Sequence, residues 1–128
     1  MDAIYLDYAA TTPLRPEARR ALLDALDGKW GNPSSVHRWG RESRALLDDA
    51  RGRLARVIGA APGEIVFTRA GTEADNLAVL GRARTLPGAP VVCSAVEHRA
   101  VLAAVKEAGS PAVILPVDEN GVVRMDAL

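Results

Sequence analysis

The stretch Thr68-Arg69-Ala70-Gly71-Thr72-Glu73-Ala74-Asp75-Asn76 is where this chain has the residues to hold an anion. It follows a short apolar run, Ile65-Val66-Phe67, and opens a segment of helical character. The first backbone N–H groups of a helix have no intrahelical partner, and the helix dipole adds partial positive charge at that end. Gly71 has no Cβ to keep a ligand off the backbone, and Thr72 offers a hydroxyl beside its N–H. The pattern reads as a seat for a phosphate. Taken alone, it also reads as a plain helix start, with Thr72 as N-cap and Asp75 at the third position of a capping box.

Glu97-His98 follows a second apolar run, Val91-Val92-Cys93. In open α/β sheets, ligands gather outside the carboxyl ends of the strands. If the strands are parallel, Gly71-Thr72 and His98 share that side. A phosphate seat and an imidazole there would suit a phosphorylated aromatic cofactor, with the imidazole stacking on the ring or moving protons. Taken alone, His98 is more often a helix-start or core-edge histidine. His37, in a loop beside Trp39, is open to a functional or a structural role. Cys93 lies inside an apolar run and reads as a buried small hydrophobe, because a reactive thiol needs exposure and an electropositive setting. Lys29 and Lys106, the only lysines among sixteen basic residues, read as solvated surface. No cysteine cluster suggests a metal site, and neither a Walker loop nor Gly-x-Gly-x-x-Gly occurs.

The elements that must position these groups follow from periodicity. The spacing predicts a helix from Pro16 to about Asp27, with Ala18, Ala21, Leu22, Ala25 and Leu26 on one face and Gly28 at the stop. Gly31-Asn32-Pro33-Ser34-Ser35 is a turn-rich loop. A longer helix is predicted from Gly40 to Ile58, with an apolar stripe of Leu46, Leu47, Ala50, Leu54, Val57 and Ile58. Its charged residues read as a solvated face with i,i+4 pairing. Beyond Gly59 the pattern alternates: strand Glu64–Thr68, helix Thr72–Thr85, strand Pro90–Ala95, helix His98–Ala108, strand Ala112–Val117. The near-continuous apolar runs Val91–Cys93 and Val113–Leu115 predict strands buried on both faces. This βαβαβ order implies an α/β fold with a parallel-rich sheet behind an N-terminal helical segment. Asn120-Gly121 signals a turn, and a new helix is expected near Met125.

The 128 residues, with 48% apolar and 25% charged, suffice for a compact soluble domain. A net charge of zero gives no broad pull toward nucleic acid or membrane. The N-terminus Met1-Asp2-Ala3-Ile4-Tyr5 does not resemble a signal peptide. One cysteine fits a reducing cytoplasm. Three parallel strands with open edges fold poorly alone, so the chain reads as the front part of a longer protein.

Several blocks, in order, carry a family resemblance. They are Tyr5-Leu6-Asp7-Tyr8-Ala9-Ala10-Thr11-Thr12-Pro13, Gly31-Asn32-Pro33-Ser34-Ser35-Val36-His37, Glu64-Ile65-Val66-Phe67-Thr68, Gly71-Thr72-Glu73-Ala74-Asp75-Asn76-Leu77-Ala78 and Glu97-His98-Arg99-Ala100-Val101-Leu102. The chain resembles the N-terminal part of a cysteine desulfurase, in the class V aminotransferase group of fold-type-I pyridoxal-phosphate enzymes. The first two blocks point to the branch that supplies sulfur for iron–sulfur clusters and tRNA thiolation.

The resemblance implies that Gly71 and Thr72 bind the phosphate of pyridoxal 5′-phosphate. It implies that His98 stacks on the pyridine ring and assists proton transfer, and that Thr11, Thr12 and Asn32 lie near the active-site mouth. Arg69-Ala70 departs from the small pair, such as Ser-Gly, usual in the family. The resemblance further implies residues 1–60 as an N-terminal arm with helices and 61–128 as an incomplete α/β cofactor-binding domain. It implies L-cysteine as substrate, a cytoplasmic homodimer and a sulfur-acceptor or scaffold partner, with no direct contact to nucleic acid or membrane. The family's cofactor-bearing lysine, its sulfur-accepting cysteine and the aspartate at the pyridine nitrogen fall beyond position 128, so this chain alone is expected to be inactive. Alternatives are a sister enzyme such as a selenocysteine lyase or an aminotransferase, and a non-enzymatic anion-binding or partner chain.

Overall fold

A computed structural model describes residues 3–28 and 30–128. The chain divides into two compact units, Met1–Ile65 and Val66–Leu128.

The first unit is helical. Helix α1 spans Pro16–Gly28. Proline opens it where a missing N–H costs no helical bond, and Glu17 complements the positive end of the dipole. After α1 the chain turns on Asn32, whose Oδ1 accepts the Ser34 N–H at 2.9 Å and whose carbonyl accepts the Ser35 N–H at 3.0 Å. Helix α2, Arg38–Ile58, starts against this loop. Gly40 is buried there, and a Cβ on it would stand 2.7 Å from the Asn32 carbonyl oxygen and closer still to that of Ser35. A Cβ on Gly31 would overlap the Trp39 carbonyl in the same way. The helix stops at Gly59, which takes φ +71° and returns its N–H to the Ala55 carbonyl, a conformation that favours a residue without Cβ.

The expected charge pairing along α2 is present: Arg38–Glu42, Arg44–Asp48, Arg51–Asp48 and Arg53–Asp49 all lie within 2.9 Å. Pairs this exposed contribute little each. The expected apolar stripe, however, stays largely open. Ala55 and Ser43 are buried, whereas Val57 and Ile58 are 82% and 60% exposed.

The second unit is α/β. Helix α3 spans Gly71–Thr85, strand β1 Val91–Ser94, helix α4 Arg99–Glu107 and strand β2 Ala112–Leu115. The strands pair in parallel, Val91 opposite Ala112 through Ser94 opposite Leu115, with α4 as the crossover. Helices α3 and α4 pack on each other, and α4 packs on β1. The core is small: Ala83, Ala100, Ala104, Val105 and Leu115.

Residues 64–68 were expected to be a strand, but Pro62–Glu64 forms one 3-10 turn, fastened by the Glu64 carboxylate on the Ala61 N–H at 2.7 Å. Ile65 is extended (φ −93°, ψ 121°), yet no β-ladder among the described residues includes 65–68. A strand exists only by pairing, and a run of β-branched and aromatic residues supplies the conformation without the partner. The strands are also not buried on both faces, since Val92, Val113 and Ile114 remain about two-fifths exposed.

Near the C-terminal end, Asn120-Gly121 forms the expected turn. Gly121 takes φ +80°, and Asp118 Oδ1 accepts the N–H groups of Asn120 and Val122 at 2.9 Å. The helix expected near Met125 is a single 3-10 turn, Met125–Ala127. Beside it, Arg124 donates to both Asp126 carboxylate oxygens, at 3.2 and 2.6 Å. That hydrogen-bonded guanidinium holds the Asp126 carboxyl below its ordinary range. A carboxyl with a depressed folded value stabilises above its unfolded value of about 3.9, and the contribution is lost as pH falls through the folded one. A carbon-detected NMR titration should therefore place the Asp126 midpoint below that of an unpaired aspartate, and Arg124→Gln should raise it.

Candidate functional site

The candidate site lies at the N-terminal end of α3. Ala70 is its N-cap, fully extended at φ −161° and ψ 166°, and has no side-chain acceptor to offer. The cap expected at Thr72 is thus two residues earlier. Which residue leaves helical φ/ψ decides the cap, and Gly71 and Thr72 are already inside the first turn. The Ala70 carbonyl accepts from the Glu73 and Ala74 N–H groups, at 3.1 and 3.2 Å. The N–H groups of Gly71 and Thr72 donate to no protein acceptor among the described residues.

Three local facts make this end fit an anion. Gly71 and Thr72 are both exposed. A Cβ on Gly71 would meet nothing within 4 Å, so packing within the chain gives no reason for glycine there. The Thr72 hydroxyl has no protein partner among the described residues. Asp75 does not form the expected box. Instead Glu73 reaches back, and its carboxylate accepts the Arg69 N–H at 2.8 Å. The sequence contained this residue, but nothing in its spacing distinguished the bond to Arg69 from one to Ala70.

His98 is the N-cap of α4. Its Nδ1 accepts the Ala100 N–H at 3.2 Å, which in the neutral ring leaves the proton on Nε2. Chain connectivity relates the two ends. The link from α3 into β1 is five residues, β1 leads into α4, and α4 returns the chain to a parallel β2. Helix α4 therefore runs against the strands, with His98 toward the carboxyl end of β1, where α/β proteins bind ligands, and α3 packs on α4.

Other candidates are placed elsewhere. His37 caps α2, its Nδ1 accepting the Gly40 N–H at 3.3 Å and its ring meeting Trp39 edge-on at 5.8 Å. Thr11, Thr12 and Asn32 belong to the first unit. Cys93 is half-buried on β1. Lys106 is exposed in the last turn of α4, about 12 Å along the axis from His98. Lys29 lies outside the described residues. An apolar recess lined by Ala78, Val79, Ala83, Leu86 and Val92 opens at the other end of α3 and carries only Arg82 as a charged group. Among the described residues, no three His, Cys, Asp or Glu side chains are grouped to hold a metal, and no helix is long and apolar enough to cross a membrane.

Residues 4–128 match the family described as aminotransferase class-V. The chain belongs to that family. Among its relatives, a cysteine desulfurase IscS from Dictyoglomus turgidum is 46% identical over 130 residues, covering 98% of this chain and 33% of the relative. One from Serratia proteamaculans is 40% identical over 133 residues with the same coverage. A solved NifS-like protein superposes with a TM-score of 0.83 at 31% identity, over 97% of this chain and 35% of the other. The NifS-like protein from Rickettsia africae gives 0.79 at 30% identity, over 97% and 34%. The chain spans about a third of the length of these relatives.

Proposed function

We propose that the chain provides the phosphate seat and ring-facing histidine of a pyridoxal-phosphate-dependent cysteine desulfurase. The observation that carries this reading is the open pair of N–H groups on Gly71 and Thr72, in a member of the class V family. These two residues would hold the phosphate of pyridoxal 5′-phosphate. Two backbone N–H groups, one hydroxyl and the positive end of the α3 dipole all favour a dianion. His98 would stand against the ring, with Nδ1 engaged by Ala100 and Nε2 left to carry or release a proton. When bound, the cofactor supplies a sink for negative charge developing on an amino-acid substrate. The overall reaction would convert L-cysteine and an enzyme thiol to L-alanine and an enzyme persulfide, in a cytoplasmic homodimer that passes sulfur to an acceptor protein.

NMR of the isotope-labelled chain tests the seat. Pyridoxal 5′-phosphate should shift the Gly71 and Thr72 amides, whereas pyridoxal, lacking the phosphate, should leave them in place. Equal responses to both would overturn the reading. Activity gives a second test. The 128-residue chain with cofactor should form no alanine from L-cysteine, because Lys106 is at the far end of α4 and Cys93 is half-buried in a strand. Fusion to the remaining two thirds of the Dictyoglomus turgidum relative should form it.

A further inference from the structure

The geometry points to Glu73 as the residue that keeps the seat open: its bond to the Arg69 N–H holds the loop so that Gly71 and Thr72 stay available to an anion. This rests on the phosphate reading above. A carboxylate in the first turn of a helix is drawn to that helix's own unpaired N–H groups. A capping box would send it to the N–H of the cap residue itself. Here it reaches one residue further, to Arg69, at 2.8 Å. Two consequences follow. The loop residue before the cap is tied to the helix, although Ala70 has no side-chain acceptor to do this. The carboxylate is also engaged by the Arg69 N–H and bonds neither of the two donors that a phosphate needs. Glu73 is therefore a positioning residue: it contacts no ligand, and it acts through the backbone at 69–71.

Two variants separate its bond from its charge. Glu73→Ala removes both. Glu73→Gln keeps an amide oxygen that can accept the Arg69 N–H and removes the charge. The probe is pyridoxal 5′-phosphate, titrated into each labelled chain, with the Gly71 and Thr72 amide shifts reporting Kd and hydrogen exchange reporting the Arg69 N–H. Glu73→Ala should raise Kd about threefold to tenfold, the size of one lost hydrogen bond, and speed exchange at Arg69. Glu73→Gln should bind at least as tightly as the parent and keep Arg69 protected. Circular dichroism confirms that each variant retains α3.

Tighter binding by both variants would mean the carboxylate only repels the phosphate, and would overturn the proposal. Unchanged binding by both, or equal weakening by both, would overturn it too. If the parent chain answers pyridoxal and its phosphate alike, the phosphate reading itself falls and takes this inference with it.

Discussion

Gly40→Ala is expected to destabilise the first unit by about 3 kcal/mol, although glycine to alanine inside a helix ordinarily stabilises by about 0.5–1 kcal/mol. The sign reverses because the added methyl would stand among backbone carbonyls of Asn32 and Ser35, not among side chains that can turn away. Moving them would disturb the Asn32 turn and the His37 cap together, since His37 accepts the N–H of Gly40 itself. Gly52 is the control. It lies in the same helix, and a Cβ there meets nothing within 4 Å, so Gly52→Ala should gain about 0.5–1 kcal/mol. Both tryptophans, Trp30 and Trp39, belong to this unit and stack at 5.9 Å. Their fluorescence during urea unfolding reports on it alone. A Gly40→Ala midpoint at or above the parent's would show that the loop does not press on α2.

Gly71→Pro is expected to weaken pyridoxal 5′-phosphate binding about tenfold to hundredfold, the range for one charge-assisted hydrogen bond, while leaving α3 intact. Proline suits the first position of a helix, where its missing N–H breaks no helical bond. A Cβ at position 71 meets nothing within 4 Å. Ala70 is extended, as a residue preceding proline should be. The substitution thus deletes one donor of the seat without an evident folding cost. Thr72→Val removes the hydroxyl and keeps the N–H, and should cost about threefold to tenfold. Titration followed by cofactor absorbance measures both. Parent-like affinity in Gly71→Pro would mean the phosphate does not use this helix end.

Much of this molecule is written in local chemistry. Apolar periodicity and end signals located all four helices to within about two residues, because a helix satisfies its own backbone and needs only its own sequence to show its ends. Pro16, Gly59 and Asn120-Gly121 are such signals, and each acts where it stands. The parallel pairing of the two later apolar runs was legible as well, since a strand–helix–strand order leaves few other connections.

Other questions of partnership needed the tertiary structure. The run at 65–68 has β-favouring residues, but a ladder requires a neighbour that sequence cannot name. Leu46, Val57 and Ile58 form a proper stripe, yet burial depends on what lies opposite. His37 and His98 are alike in sequence, and only the backbone angles at each helix start show both capping through Nδ1. At the seat, the sequence determined that a glycine and a threonine begin α3. The fold decided that Ala70 takes the cap and that Glu73 reaches back to Arg69. The reason is physical: donor types are set residue by residue, whereas which donor remains unspent depends on the dihedral angles of the whole turn.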